Sequence, residues 1–64
     1  MTDNRLLKPK AAADRLGLSE STLAKMRMIR SGPNFSLLGR AVRYRVADLD
    51  AWVASRTVTT DTAA

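Results

Sequence analysis

The sequence contains neither cysteine nor histidine. Without cysteine, no disulfide and no thiolate zinc site can stabilise the fold. Without histidine, the commonest general base and the commonest metal ligand are missing. Aromatic residues are scarce too, with one tryptophan, one tyrosine and one phenylalanine among 64 residues. A chain of this length forms one domain and buries only about 60% of its unfolded surface, so we expect a marginal core.

Long apolar runs and catalytic groupings are also missing. No stretch approaches the roughly 20 apolar residues that span a bilayer, and the start of the sequence has no apolar run of signal-peptide length. We therefore expect a soluble protein of the cytoplasm. Asp48 and Asp50 lie two positions apart on a predicted helix and diverge, and the isolated glycines form no phosphate-binding loop. We predict that the protein is not an enzyme and uses no cofactor or metal.

Acidic residues are missing from the middle of the chain. Six basic residues and no acidic residue lie between positions 25 and 45, and all six carboxylates lie outside this window. Together with a net charge of +5, this distribution favours a surface that faces a polyanion such as nucleic acid. The alternative is a solvated basic face that only keeps the protein soluble.

Two short helices are predicted on either side of Gly17. The first is Pro9–Leu16, because proline suits the first turn of a helix and three consecutive alanines favour helix. Gly17 ends it, since glycine accepts the left-handed conformation that closes many helices. Ser19 is then a good N-cap for a second helix at residues 20–29. Two short helices joined by a glycine-containing turn form a helix-turn-helix.

A β-hairpin and a third helix follow. Residues 35–38 and 41–46 are predicted strands around a tight turn at Gly39 and Arg40, and the second strand alternates apolar and basic residues. We call this hairpin the wing. Residues 47–56 are predicted to form the third helix, with acidic residues in its first turns and a basic residue near its end.

The element order predicts a small α+β fold, a winged helix-turn-helix with three helices and a two-stranded β-hairpin wing between helices 2 and 3. We expect this DNA-binding domain at residues 6–56, a flexible N-terminus at 1–5 and a disordered tail at 57–64. The predicted core consists of Leu7, Ala12, Leu16, Leu18, Leu23, Met26, Phe35, Leu38, Val42, Tyr44, Leu49, Trp52 and Val53.

The outward side of the second helix carries small polar residues where long charged residues are usual. Ser21 and Thr22 would let the helix approach base edges and phosphates closely, and Lys25, one turn on, can reach a guanine edge or a phosphate. Arg27 lies nearer the buried side but can reach a phosphate. We predict that this face enters the DNA major groove. The alternative is an ordinary exposed helix face.

The wing places a long cation at the end of a narrow projection. Arg40 fits the minor groove, whose negative potential attracts arginine, and Arg43 could grip a flanking phosphate. The alternative is a basic edge strand that prevents sheet aggregation. Arg45 is expected to pair with Asp48 instead.

Three segments in this order resemble the small MerR-like winged-helix proteins of phages and mobile elements, namely excisionases and AlpA-like regulators. They are PKAAADRLGLSESTL, GPNFSLLGRAVRYR and ADLDAWV, and the resemblance covers residues 7–56. It implies that the second helix lies in the major groove and the wing arginine in the minor groove. By position, it implicates Ser21, Thr22 and Lys25 on the helix and Arg40 on the wing.

The chain departs from the family pattern at three positions. Ala11 stands where an acidic residue is common, Met26 where an aromatic residue is common, and Leu37 where a basic residue is common. An exposed Leu37 could serve contact between neighbouring protomers.

The resemblance implies a protein that binds repeated sites on double-stranded DNA, bends the DNA and directs a partner integrase toward excision. Several copies are expected side by side on DNA, with no membrane partner, inside a bacterial host cell. A transcriptional regulator of the phage type is the alternative with the same fold. A protein-interaction module that does not bind DNA is the alternative of another class.

Overall fold

The computed structural model describes residues 5–58. Its elements are β1 (Leu6–Leu7), α1 (Pro9–Leu16), α2 (Glu20–Met28), β2 (Ser36–Leu38), β3 (Ala41–Arg45) and α3 (Val46–Arg56). This order confirms the α+β winged helix-turn-helix. Most of the predicted flexible N-terminus and of the predicted tail lies outside the described residues. None of the helices in the described part is long and apolar enough to cross a membrane.

The predicted two-stranded wing is confirmed by the pairing of β2 with β3, and β1 adds a third strand that was not predicted. β3 lies in the centre of an antiparallel sheet with the order β1-β3-β2. Leu6 lies opposite Arg45, and Leu7 lies opposite Tyr44. A strand of two residues is too short to show the alternation by which strands are recognised in a sequence. β1 therefore ties the start of the domain to the strand from which the wing projects.

The predicted bounds of α1 are confirmed, and four other bounds differ by one residue. α2 ends at Met28 rather than at 29, and β2 begins at Ser36 rather than at 35. β3 ends at Arg45, and α3 begins directly at Val46, whose N–H donates to the carbonyl of Arg5 at 3.1 Å. No residue connects β3 to α3. The hydrogen bond joins the start of α3 to the residue just before β1.

The core lies where α1, α2, α3 and the sheet meet. Its fully buried cluster consists of Ala12, Ala13, Leu23, Tyr44 and Leu49, and the partly buried side chains packed against it are Leu7, Leu16, Met26, Phe35 and Val42. The two alanines allow α1 to approach α2 closely, because their side chains end at Cβ. Every member of the cluster except Ala13 was predicted.

Two predicted core positions are wrong. Leu38 is 52% exposed and Val53 is 46% exposed. Leu38 lies next to the turn at the wing tip, and Val53 lines an open groove beside Leu16 at the edge between α1 and α3. Val46, which is 1% exposed, is buried although it was not on the predicted list. Trp52 and Leu18 are half-buried.

Candidate nucleic-acid interface

The turn of the helix-turn-helix is closed at both ends by hydrogen bonds. Gly17 has a φ of 71°, and its N–H donates to Asp14 at 3.1 Å while the N–H of Leu18 donates to Ala13 at 2.9 Å. This pair of bonds satisfies the last carbonyls of α1. On the other side, the Ser19 hydroxyl accepts the N–H of Thr22 at 3.1 Å and caps α2. The predictions for Gly17 and Ser19 are confirmed.

Hydroxyl groups gather at the N-terminus of α2. The Ser19 hydroxyl donates to the Thr22 hydroxyl at 2.8 Å and lies 3.3 Å from the hydroxyl of Ser21. Because Thr22 accepts from Ser19, the hydroxyl proton of Thr22 remains available to an outside acceptor. Ser21, Thr22 and Lys25 are all exposed, and Ser21 and Lys25 lie one turn apart on one side of the helix. The side chains predicted to meet the major groove thus share an accessible surface.

The wing presents Arg40 at its tip. Gly39, with a φ of 67°, and Arg40 form the turn between β2 and β3, and Arg40 is exposed. Arg43 behaves differently, since its side chain is half-buried and its Nη1 donates to the carbonyl of Val42 at 2.8 Å. A phosphate contact by Arg43 would have to replace or share that hydrogen bond.

Arg27 points toward the sheet rather than away from the protein. Its Nη1 donates to the hydroxyl of Tyr44 at 3.0 Å, and its guanidinium lies 6.0 Å from the centre of the Phe35 ring. The rings of Phe35 and Tyr44 are themselves 6.1 Å apart and tilted by 53°. Sequence reasoning placed Arg27 nearer the buried side of the helix with a reach to a phosphate, and it missed both aromatic partners, because the contact with Tyr44 joins residues 17 positions apart.

Two ion pairs lie outside the predicted interface. Arg45 donates to Asp48 at 2.9 and 3.1 Å, as predicted. This hydrogen bond and the charge of Asp48 raise the pKa of Arg45 above its ordinary value. Arg15 reaches Asp50 at 3.1 Å, which joins α1 to α3.

The interface cations have no carboxylate neighbour within residues 5–58. These cations are Lys25, Arg27, Arg40 and Arg43. The ion pairs within residues 5–58 are formed by other side chains. Unpaired cations on α2 and the wing give this side of the molecule its positive charge. The same part of the chain contains no cluster of three carboxylates that could hold a metal ion.

An open groove of about 440 Å³ separates α2 from the wing. It is lined by Met26, Arg27, Arg30, Gly32, Pro33, Asn34, Phe35 and Leu37. Leu37 is 64% exposed, in agreement with the prediction that this leucine is accessible. Sequence periodicity carries no signal for such a groove, because it forms between elements that are joined by an irregular loop.

Comparison with known families gives a match over most of the chain. A family model described as a helix-turn-helix domain matches residues 6–57. The matched region contains α1, α2, the wing and α3, and so includes every residue assigned above to the candidate interface. A search of curated proteins gives no match.

Proposed function

We propose that this chain, which belongs to the helix-turn-helix domain family in its AlpA- and excisionase-like group, binds double-stranded DNA through two grooves at once. Ser21, Thr22 and Lys25 on α2 would read base edges in the major groove, and Arg40 would enter the adjacent minor groove. Arg43 would contact a flanking phosphate. The proposal is carried by the distribution of charge, since α2 and the wing hold four cations that form no ion pair with a carboxylate in residues 5–58, namely Lys25, Arg27, Arg40 and Arg43.

A salt titration tests the DNA-binding part of this proposal. Neutralising phosphates releases counterions, so log K should fall with log salt by about 0.9 per phosphate contact. Arg43→Ala should weaken binding to all sequences alike and reduce that slope by about 0.9. Arg56→Ala makes the same charge change on α3, where the guanidinium lies 5.6 Å from the Trp52 ring centre, and should leave the slope unchanged. A wild-type slope near zero would favour the protein-interaction module.

The biological role that we propose is that of an excisionase, also called a recombination directionality factor. Such a protein binds repeated sites, bends the DNA and directs an integrase toward excision. The family match supports DNA binding, and the three segments that resemble excisionases favour this role. In this role the protein would act on DNA in the cytoplasm of a bacterial host cell. The alternative is a transcriptional regulator of the phage type, which would use the same helix and wing.

An excision assay with the cognate integrase, with and without this protein, separates the two roles. The excisionase proposal predicts that excision requires or is strongly stimulated by the protein, and that Arg40→Ala reduces the stimulation. Control of a promoter without any effect on excision would support the regulator instead.

We further propose that several copies bind side by side, because one domain of this size contacts few base pairs. The exposed Leu37 is a candidate contact between neighbouring copies. Footprinting at saturation should therefore protect a stretch longer than one domain covers, and Leu37→Ser should make occupation of adjacent sites less cooperative. A footprint of single-domain size would contradict this arrangement.

A further inference from the structure

We infer that Arg27 is a positioning residue, which holds α2 at a fixed separation from the wing so that both grooves are reached together. The inference rests on the proposed two-groove binding. It replaces the expectation that Arg27 contacts a phosphate directly.

Direct packing joins α2 to the wing through the buried cluster, in which Leu23 packs with Tyr44. α2 packs chiefly against α1, and β2 packs chiefly against β3. The open groove of about 440 Å³ lies between them. Because side chains do not fill this groove, the polar link that Arg27 makes beside it adds to the restraint that the buried cluster places on the helix and the wing.

Arg27 supplies that link with two contacts. Its hydrogen bond at 3.0 Å ends on the hydroxyl of Tyr44, which is 1% exposed and belongs to the central strand β3. Its guanidinium also lies 6.0 Å from the ring centre of Phe35, the residue just before β2. One side chain of α2 therefore contacts both β3 and the residue that leads into β2. A planar guanidinium can stack on a ring and donate at its edge at the same time.

The position of Tyr44 makes it a firm anchor. Tyr44 lies opposite Leu7 of β1, so the strand that receives the hydrogen bond is paired on both sides. A hydrogen bond from a charged donor to a group held in this way restricts the motion of the donor's helix relative to the sheet. Loss of the Tyr44 hydroxyl removes this restraint and leaves the aromatic ring in the core.

Distance measurements on the free protein test the positioning role without DNA. The chain contains no cysteine, so Met28→Cys on α2 and Leu38→Cys on the wing, at positions 80% and 52% exposed, can carry a pair of spin labels. The distribution of distances between the labels should broaden when Tyr44→Phe is added. Arg56→Ala, which removes a guanidinium–aromatic contact within α3, is the matched control and should leave the width unchanged. An unchanged width in Tyr44→Phe would overturn the inference.

DNA binding by the unlabelled variants separates positioning from direct contact. In Arg27→Ala and in Tyr44→Phe, the preference for A·T-rich flanks should fall by about fivefold, because the wing is no longer held at a fixed position relative to α2. A change of this size is typical of residues whose effects are coupled through a contact. The discrimination among central sequences read by α2 and the slope of log K against log salt should both stay as in the wild type. Each affinity is measured below the unfolding temperature of the variant and corrected for the folded fraction.

Two results would overturn the inference in different ways. A slope reduced by about 0.9 in Arg27→Ala with no change in Tyr44→Phe would make Arg27 a phosphate ligand. A lower unfolding temperature without any change in flank preference would make the contact purely structural. If the wild type itself shows no salt dependence or no flank preference, then the proposed function fails, and the label distances still decide whether Arg27 fixes the wing.

Discussion

The helix α2 and the wing are held in place by different forces. α2 anchors itself through Leu23, which is 1% exposed and packs with Ala12 and Ala13 of α1. The outer strand of the wing buries little, since Leu37 and Leu38 of β2 are 64% and 52% exposed, and the hydrogen bonds of the β2–β3 ladder hold this strand. The helix that carries the surface predicted for the major groove is therefore anchored in the core, whereas the tip predicted for the minor groove projects from it.

The sharpest test of this contrast is a truncation in each region. Leu23→Ala should lower the free energy of unfolding by about 2–5 kcal/mol, because it removes buried contacts and leaves a cavity. A domain of this size has a total stability on the order of only 3–10 kcal/mol, so the variant should be largely unfolded in mild urea. Leu37→Ala is the matched control and should change the stability by less than about 0.5 kcal/mol. Urea titrations followed by circular dichroism measure both, and similar losses would refute the contrast.

The next largest effect concerns the reading face of α2. Lys25→Ala should reduce discrimination at one base pair by about 1–3 kcal/mol, with little change in stability because Lys25 is exposed. Thr22→Ala should act in the same direction. Binding to specific and to random DNA at one salt concentration measures this, and equal losses on both would deny α2 a reading role.

A smaller effect is expected at the tip of the wing. Arg40→Ala should weaken binding to sites with A·T-rich flanks by about 1 kcal/mol, roughly fivefold, because a narrow minor groove attracts a cation strongly. The loss on G·C-rich flanks should be smaller. Competition between sites that differ only in their flanks measures this, and a loss that is independent of the flank would argue against insertion into the minor groove.

The smallest effect is the difference in stability loss between two glycine substitutions, one in the helix-turn-helix and one at the tip of the wing. Gly17 and Gly39 have φ values of 71° and 67°, and an added Cβ would meet nothing within 4 Å at either position. Alanine should therefore cost about 1 kcal/mol of backbone strain at each. Because the wing tip can relax locally, Gly39→Ala should lower the unfolding temperature less than Gly17→Ala does. Equal decreases in the two thermal unfolding curves would show that the wing is as firmly integrated as the helix-turn-helix.

The local signals in the sequence predicted most of the helix-turn-helix. The bounds of α1 follow from Pro9 and Gly17, and the cap of α2 follows from Ser19, because each signal acts within one turn of the chain. The pairing of Arg45 with Asp48 was predictable for the same reason, since the two residues lie three positions apart.

The features that escaped prediction depend on distant parts of the chain. β1 is defined by its pairing with β3, and Arg15 meets Asp50 across 35 positions. The contact between Arg27 and Tyr44 depends on how α2 lies against the sheet, which no periodicity specifies. For the same reason the pattern at Val53 indicated a buried residue, although the elements within residues 5–58 leave it 46% exposed.

The central claim, binding through two grooves, can be tested most directly by methylation protection. Dimethyl sulfate modifies guanine N7 in the major groove and adenine N3 in the minor groove, so it reports on both grooves in one experiment. The account predicts protection of guanine N7 at the centre of the site and of adenine N3 in the adjacent flank, with Arg40→Ala losing only the adenine protection. Protection confined to one groove, or loss of both signals together in Arg40→Ala at saturating protein, would contradict it.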